Sequence, residues 1–494
     1  MASEQTSLPV RGAAEPHAQN HRRPPAPHPR RGDPHRPRGR RPADRRRGGP
    51  AVADDPVAND ALWISAPYDL VLPGADSDGH TATQSVDVQI SHDNTDNSVS
   101  GGTLTVDAGE LAGIAAVTWP ANCTEDAASA LRATCSFGTL DGSPWITAAT
   151  LGVHAEAGAP ADASASLHYS ATADSAFGPL DAYPTDTRIT VANGPDLGLS
   201  ELPFNTKVAV DSDVAQPVRL TNSGNRTADR TILTLFASHG LNLAHRYGNC
   251  TYLEADQVSN STGTTAVCVL DQAVAPGQTY DLSPATAVRT TAAALYERFD
   301  YQVTPYTDEA YEQALAGRPF VQGTGDAFVP APVASLRAAS GTDDLNLADN
   351  YRIATYTAAN TADLKAIGKS VSGVAVGDTV TARVGVRNKG PAWVASLGAG
   401  ASVATIDVTL PVGTTVTKKP EMCDEADGRH YVCRTPILLW ENARTVFDFK
   451  LRVDSVSAAG ATGTVATRNE DPELRISAFD PNLRNNSTTF TISG

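Results

Sequence analysis

The reading of this chain turns on Gly377-Asp378-Thr379-Val380-Thr381-Ala382-Arg383-Val384-Gly385-Val386-Arg387-Asn388-Lys389-Gly390-Pro391. Val380, Ala382, Val384 and Val386 alternate with polar residues, the period of two expected for a strand with one buried face. Asn388-Lys389-Gly390-Pro391 then breaks the run with turn-forming residues. Working outward, Ala404, Ile406, Val408 and Leu410 keep the same alternation, as do Phe447, Phe449, Leu451 and Val453. Long helical periodicity is scarce; a short helix is expected near Thr307–Ala316, with Thr307 or Asp308 as its cap. The expected fold class is therefore all-β, built as antiparallel sandwiches.

The plan recurs. Val218-Arg219-Leu220-Thr221-Asn222-Ser223-Gly224-Asn225 repeats the strand and its Asn-x-Gly turn. An Asp-Leu pair opens three units, at Asp69, Asp196 and Asp363. From each Asp to the next cysteine there are 54, 54 and 60 residues. Asp344-Leu345-Asn346-Leu347-Ala348-Asp349-Asn350 closes the second unit, and Asp480-Pro481-Asn482-Leu483-Arg484-Asn485-Asn486 closes the third in the same pattern. At 494 residues the chain is long enough for three such domains, each with its own core. The expected division is residues 62–193, 194–357 and 358–494, after an Arg/Pro-rich segment at 1–53.

Six cysteines fall into three close pairs, one per unit: Cys123 with Cys135, Cys250 with Cys268, and Cys423 with Cys433. There is no CxxC and no Cys/His metal spacing. Local pairing is the simplest framework, although six cysteines allow about fifteen connectivities. Such bridges persist in oxidising compartments, and each would contribute about 3 kcal/mol.

The Asp-Leu start, Gly377-Asp378-Thr379-Val380, Asn388-Lys389-Gly390-Pro391, Leu410-Pro411-Val412-Gly413-Thr414, the paired cysteines and the terminal Asx cluster together resemble the domain-of-unknown-function-eleven repeat. That repeat is an immunoglobulin-like module of bacterial surface and secreted proteins. The resemblance is best over residues 363–492. Unit two shares the start, cysteines and end; unit one lacks the Asn-x-Gly-Pro turn and the closing cluster. It implies three tandem immunoglobulin-like sandwiches and an extracellular stalk or adhesive role, and it brings no catalytic residues.

The first fifty residues differ from the rest. They carry twelve Arg, no Lys and four acids within a chain of net charge −16. They lack the apolar content of a core and are expected to be disordered. Ala51-Val52-Ala53 ahead of Asp54-Asp55 has the look of a signal-peptide cleavage site, but no apolar segment precedes it. One reading is that residues 1 to about 48 are a wrong-frame translation of a signal peptide; the others are a plain tail or a basic arm that binds nucleic acid or an envelope polymer. Arg31-Gly32-Asp33 reads as a chance tripeptide in this tract. No window has the ~18–20 apolar residues that span a bilayer. The acidity of the remainder argues against nucleic acid as the main partner.

Chemistry is thinly marked. Asp344, Asn346 and Asp349, or Asp480, Asn482 and Asn485, could offer oxygen ligands to Ca²⁺, but the same pattern suits Asx turns before a last strand. No other cofactor is expected. His239 and His245 lack a partner at metal-ligand spacing. Tyr296, Tyr301, Tyr306 and Tyr311 read as a sugar-stacking face or as partly buried packing, and Trp119, Trp145, Trp393 and Trp440 as core anchors. Gly368-Lys369-Ser370 lacks the earlier Gly of a phosphate loop. No nucleophile–base motif is present. The expected protein is non-enzymatic, extracellular or on the cell surface, and monomeric. Its expected partner is an extracellular protein or a cell-wall polymer. The alternatives are the non-catalytic modules of an extracellular hydrolase and the basic-armed binder.

Overall fold

A computed structural model describes residues 60–494 apart from 77, 95–96, 143–144, 255–261, 333–343, 399, 457–459 and 469–474. The basic segment and the Ala51-Val52-Ala53 stretch lie outside the described residues. Strands dominate, and no sheet mixes strands from different thirds of the chain. The first module contains strands from Leu62–Ser65 to Thr185–Ala192, the second from Leu197–Leu199 to Tyr351–Ala358, and the third from Leu364–Lys369 to Ser487–Ile492. No described helix is long and apolar enough to cross a membrane.

The alternation seen in the sequence is realised as packing. Ala382, Val384 and Val386 are buried, with Val380 partly so; Ala404, Ile406, Val408 and Leu410 face them. Thr379–Asn388 pairs with Arg444–Val453 over its whole length, which places Phe447, Phe449 and Leu451 beside those valines. Burying a Leu, Val or Phe contributes roughly 1.5–3 kcal/mol, so matched alternation on two facing sheets fixes the register. Each of the other two modules has its own cluster, around Val86, Leu104 and Leu151, and around Leu233, Phe299 and Tyr301.

The sheets are antiparallel with one recurrent exception. Asp69–Pro73 runs parallel to Thr185–Ala192, Thr206–Val208 runs parallel to Tyr351–Ala358, and Val371 makes a parallel bridge to Ile492. In each module an early segment thus returns to lie beside the last strand. More than a hundred residues, including most of the module's other strands, separate these partners, so no local alternation could announce the pairing. Asp308–Leu315 forms the expected helix, with Thr307 Oγ1 accepting from Ala310 N at 3.0 Å.

Two expectations need correction. Trp145 is half exposed rather than a core anchor, because it stands just ahead of the strand Ile146–Ala155, beyond the covered part of the sheet. The tyrosine run is not one face: Tyr301 is buried and gives its hydroxyl to Ser200 O, Tyr296 is half buried, and Tyr306 lies under Arg230 beside Tyr311. Alternation along Tyr296–Pro305 sends neighbouring positions to opposite sides.

Candidate functional site

The groups singled out in the sequence gather where chain segments are fastened. Cys123–Cys135, Cys250–Cys268 and Cys423–Cys433 are each bonded. Each joins residues directly opposite on paired strands. The residue before the first cysteine is part of the clip. Asn122 Nδ2 donates to Ser136 O and Ala148 O, and Asn249 Nδ2 donates to Val269 O and Phe328 O. These asparagines tie the clip to a neighbouring segment; Met422 holds that place in the third module, where only its carbonyl is used, by Arg434 N.

The Asn-x-Gly turn is a latch repeated bond for bond. Asn222 Nδ2 donates to Arg226 O and Val274 O, and its Oδ1 accepts from Gly224 N and Asp196 N. Asn388 Nδ2 donates to Ala392 O and Trp440 O, and its Oδ1 accepts from Gly390 N and Asp363 N. The glycine is needed for close approach. A Cβ at Gly224 would stand 2.3 Å from Gly194 O, and one at Gly390 would stand 2.5 Å from Ala362 Cα. A buried amide with every polar partner engaged avoids the desolvation penalty of about 1–3 kcal/mol per unmade bond.

The Asx clusters fold onto the Asp-Leu starts. Asp344 Oδ2 accepts from Leu197 N at 3.2 Å and Asn350 Nδ2 at 3.1 Å, while its Oδ1 accepts from Asn346 N. Asp480 does the same with Leu364 N at 2.9 Å, Asn486 Nδ2 at 3.1 Å and Asn482 N. Asn346 Oδ1 accepts from Ala348 N, closing a further Asx turn. The oxygens proposed for calcium at Asp344 and Asp480 thus already receive N–H donors. Among the described residues no group of three or more His, Cys, Asp or Glu side chains is placed to hold a metal.

Among the polar groups that bond within these corners, the two differ at one position, Asp349 against Asn485. Asn485 Nδ2 donates to Asp363 Oδ1 at 2.8 Å. In the second module Asp349 stands in place of Asn485, its Oδ2 where a Cβ on Gly198 would come within 2.9 Å. Asp196 Oδ1 and Asp349 Oδ1 are buried without a hydrogen-bond partner. Burial, with repulsion from Asp349 and then Asp344, pushes the Asp196 carboxyl up to about 7. Burial pushes Asp344 up to about 6, and Asp349 is also raised. Asp196 Oδ2 is engaged by the first module, through Gln84 Nε2 at 3.0 Å. The side chain of Asn225 adds to this junction, accepting from Gly194 N and donating to Ala75 O.

The junction of the second and third modules is drier and was not visible in the sequence. Glu297 is 2% exposed. Its carboxylate accepts from Leu295 N, Gly240 N and Ser238 Oγ, and from Trp393 Nε1 of the third module at 2.7 Å. Burial raises its pKa while these donors oppose the rise. Trp393 packs against Trp440, and His239 stands edge-on to both while meeting Glu441 at 3.1 Å. Leu295 belongs to the core of the third module. His245 only leans on Tyr247. A cavity of about 610 Å³ opens beside this junction, lined by Phe204, Tyr296, Arg298, Thr355 and Leu397. Its carboxylate is Glu297, already held by four donors, and no base–nucleophile pair lines it. The signal for Glu297 would have been an acid at a position facing the buried side of Tyr296–Pro305.

No family model matches the chain, and no curated protein does. Among solved structures it is similar to a chain in the complex of Dpr2 Ig1-Ig2 with DIP-Theta Ig1-Ig3, at 7% identity over 88% of this chain and 99% of that chain, TM-score 0.23. It is similar to an I-band fragment of titin at 6% identity over 89% and 99%, TM-score 0.18. A protein of Corynebacterium diphtheriae described as membrane-anchored matches at 8% identity over 88% and 95%, TM-score 0.17. At such scores the likeness adds nothing to what the sheets and their pairing show.

Proposed function

We propose that this chain is a secreted or cell-surface, non-enzymatic protein whose three immunoglobulin-like modules have a structural or adhesive role outside the cell. The reading rests on the disulfides: each module carries one, joining adjacent strands, and no described cysteine is free. Three local bridges suit an oxidising compartment. Support also comes from the way the repeated polar groups are used. The Asn latches, the Asx corners and Glu297 are consumed in fastening backbone to backbone and module to module, which suits a load-transmitting or presenting scaffold. The partner on this reading is an extracellular protein or a cell-wall polymer.

The test is thiol labelling of native protein collected from its host. Three intact disulfides, with protein in the medium or on the cell surface, are the expected result. Six labelled cysteines on cytosolic protein end the proposal.

A further inference from the structure

The exposed aromatic residues of the first module are not scattered. Trp63, Tyr68, Trp145, Phe177 and Tyr183 are all of its large apolar side chains that stand largely in water among the described residues. Strand directions place four of them, Trp63, Trp145, Phe177 and Tyr183, at one end. Gln84 and the end of Thr185–Ala192 lie at the junction with the second module, Gln84 by its bond to Asp196 and Ala192 by its place in the chain. Gln84–His92 therefore runs away from that junction, and Leu62 and Trp63 pair with its far end at His92 and Ser91. Ile146 pairs with Ile90, so Trp145 precedes its strand at the same end. Tyr183 precedes Thr185–Ala192 at the same end, whereas Asp69 pairs with Arg188, so Tyr68 stands part-way along that strand and outside the group. Ser164–Ser175 runs opposite to Thr185–Ala192, and Phe177 follows its far end. Trp63 and Tyr183 are in ring contact, their centroids 6.1 Å apart and tilted by 32°.

The charge around these rings has one sign. Residues 62–193 contain sixteen acids, two arginines and no lysine. Asp141, Asp174 and Asp181 are exposed at this end, and so is Asp93, whose Oδ1 accepts from Trp63 Nε1 at 2.7 Å. Arg132 pairs with Asp107, at the junction end of its strand, and Arg188 lies opposite Asp69 part-way along its own, with its Nε turned toward Ser164. Grouped apolar exposure marks a contact surface, and aromatic faces ringed by carboxylates attract cations by ring quadrupole and by charge.

We propose that this end of the first module is a docking surface for a cationic protein segment, which lays arginine or lysine side chains on the aromatic rings between the carboxylates. The proposal deepens the adhesive reading above and rests on it. An uncharged polysaccharide would use the rings but leave the acidic rim without a role.

The test uses the full chain, a fluorescent nona-arginine peptide and chitohexaose, each followed by fluorescence anisotropy or titration calorimetry. The peptide is expected to bind, more weakly as salt rises. Phe177→Ala with Tyr183→Ala is expected to weaken it at least tenfold, and Asp93→Asn with Asp181→Asn similarly, with melting temperatures unchanged because these side chains are exposed. Undiminished peptide binding by the Phe177→Ala, Tyr183→Ala variant would reduce the effect to general acidity and overturn the proposal. Chitohexaose binding through these rings, without peptide binding, overturns it also. Peptide binding by protein that proves cytosolic and thiol-free of bridges would sink the extracellular reading and leave this surface standing.

Discussion

The corners that begin the second and third modules are built alike, yet one places an amide where the other places an acid. In the third, Asn485 donates to Asp363. In the second, Asp349 faces Asp196 with a bare buried oxygen on each. A neutral acid at Asp349 could donate as Asn485 does; an ionised one can only repel. The difference lies at the junction with the first module, since Asp196 is also the acceptor for Gln84. Burial of Asp196 and Asp344, with the repulsion that Asp349 adds, therefore makes the first junction responsive to pH, while the shared latch ties down both corners.

The largest effect should fall on what the corners share. Asn222→Ala and Asn388→Ala each orphan two N–H and two C=O groups, and each should cost about 4 kcal/mol. Chemical denaturation of the two variants checks this. Unequal losses, with one near zero, would break the equivalence of the two latches. Next, Cys423→Ser with Cys433→Ser should cost about 3 kcal/mol in the third module, read from its unfolding midpoint under oxidising conditions and lost as a difference once both proteins are reduced.

The corners should part on titration. Asp196 and Asp344 hold protons in the folded chain up to about 7 and 6, whereas the unfolded chain releases them near 4. The native state thus binds more protons between those values, so this contribution to stability is full below pH 4 and is lost as pH rises through 6 and 7. Asp349→Asn should restore the donor present in the third module, flatten that slope and stabilise by on the order of 2 kcal/mol at pH 8. Asn485→Asp should install a similar slope in the third module. Melting curves from pH 4 to 8 decide both, and a parallel slope for wild type and Asp349→Asn would remove Asp349 as the cause. The smallest effect belongs to Gln84→Ala, about 1 kcal/mol, visible as easier proteolysis between the first two modules.

Much of this was legible along the chain. The inward valines of Thr379–Asn388 were marked by alternation, the cysteine pairs by their spacing, and the Asx corners by the repeated pattern at Asp344 and Asp480. The Asp349-for-Asn485 exchange was also visible as a letter; its consequence was not, because repulsion depends on burial beside Asp196. Trp145 misled, since an indole is equally suited to a core and to a surface edge. Glu297 was passed over because an acid in an alternating strand normally faces water, and only the approach of Trp393 from another module supplies the donor that keeps it buried.

By itself the sequence determined the strands, their inward faces, the close spacing of the cysteines and the threefold plan, since these follow from periodicity and spacing along one chain, while the bonds themselves came with the structure. The tertiary structure decided the parallel closure of each module, the joining of Glu297 to Trp393, and the gathering of four aromatic rings at one end of the first module. Those depend on which distant segments meet, and on how much water remains between them.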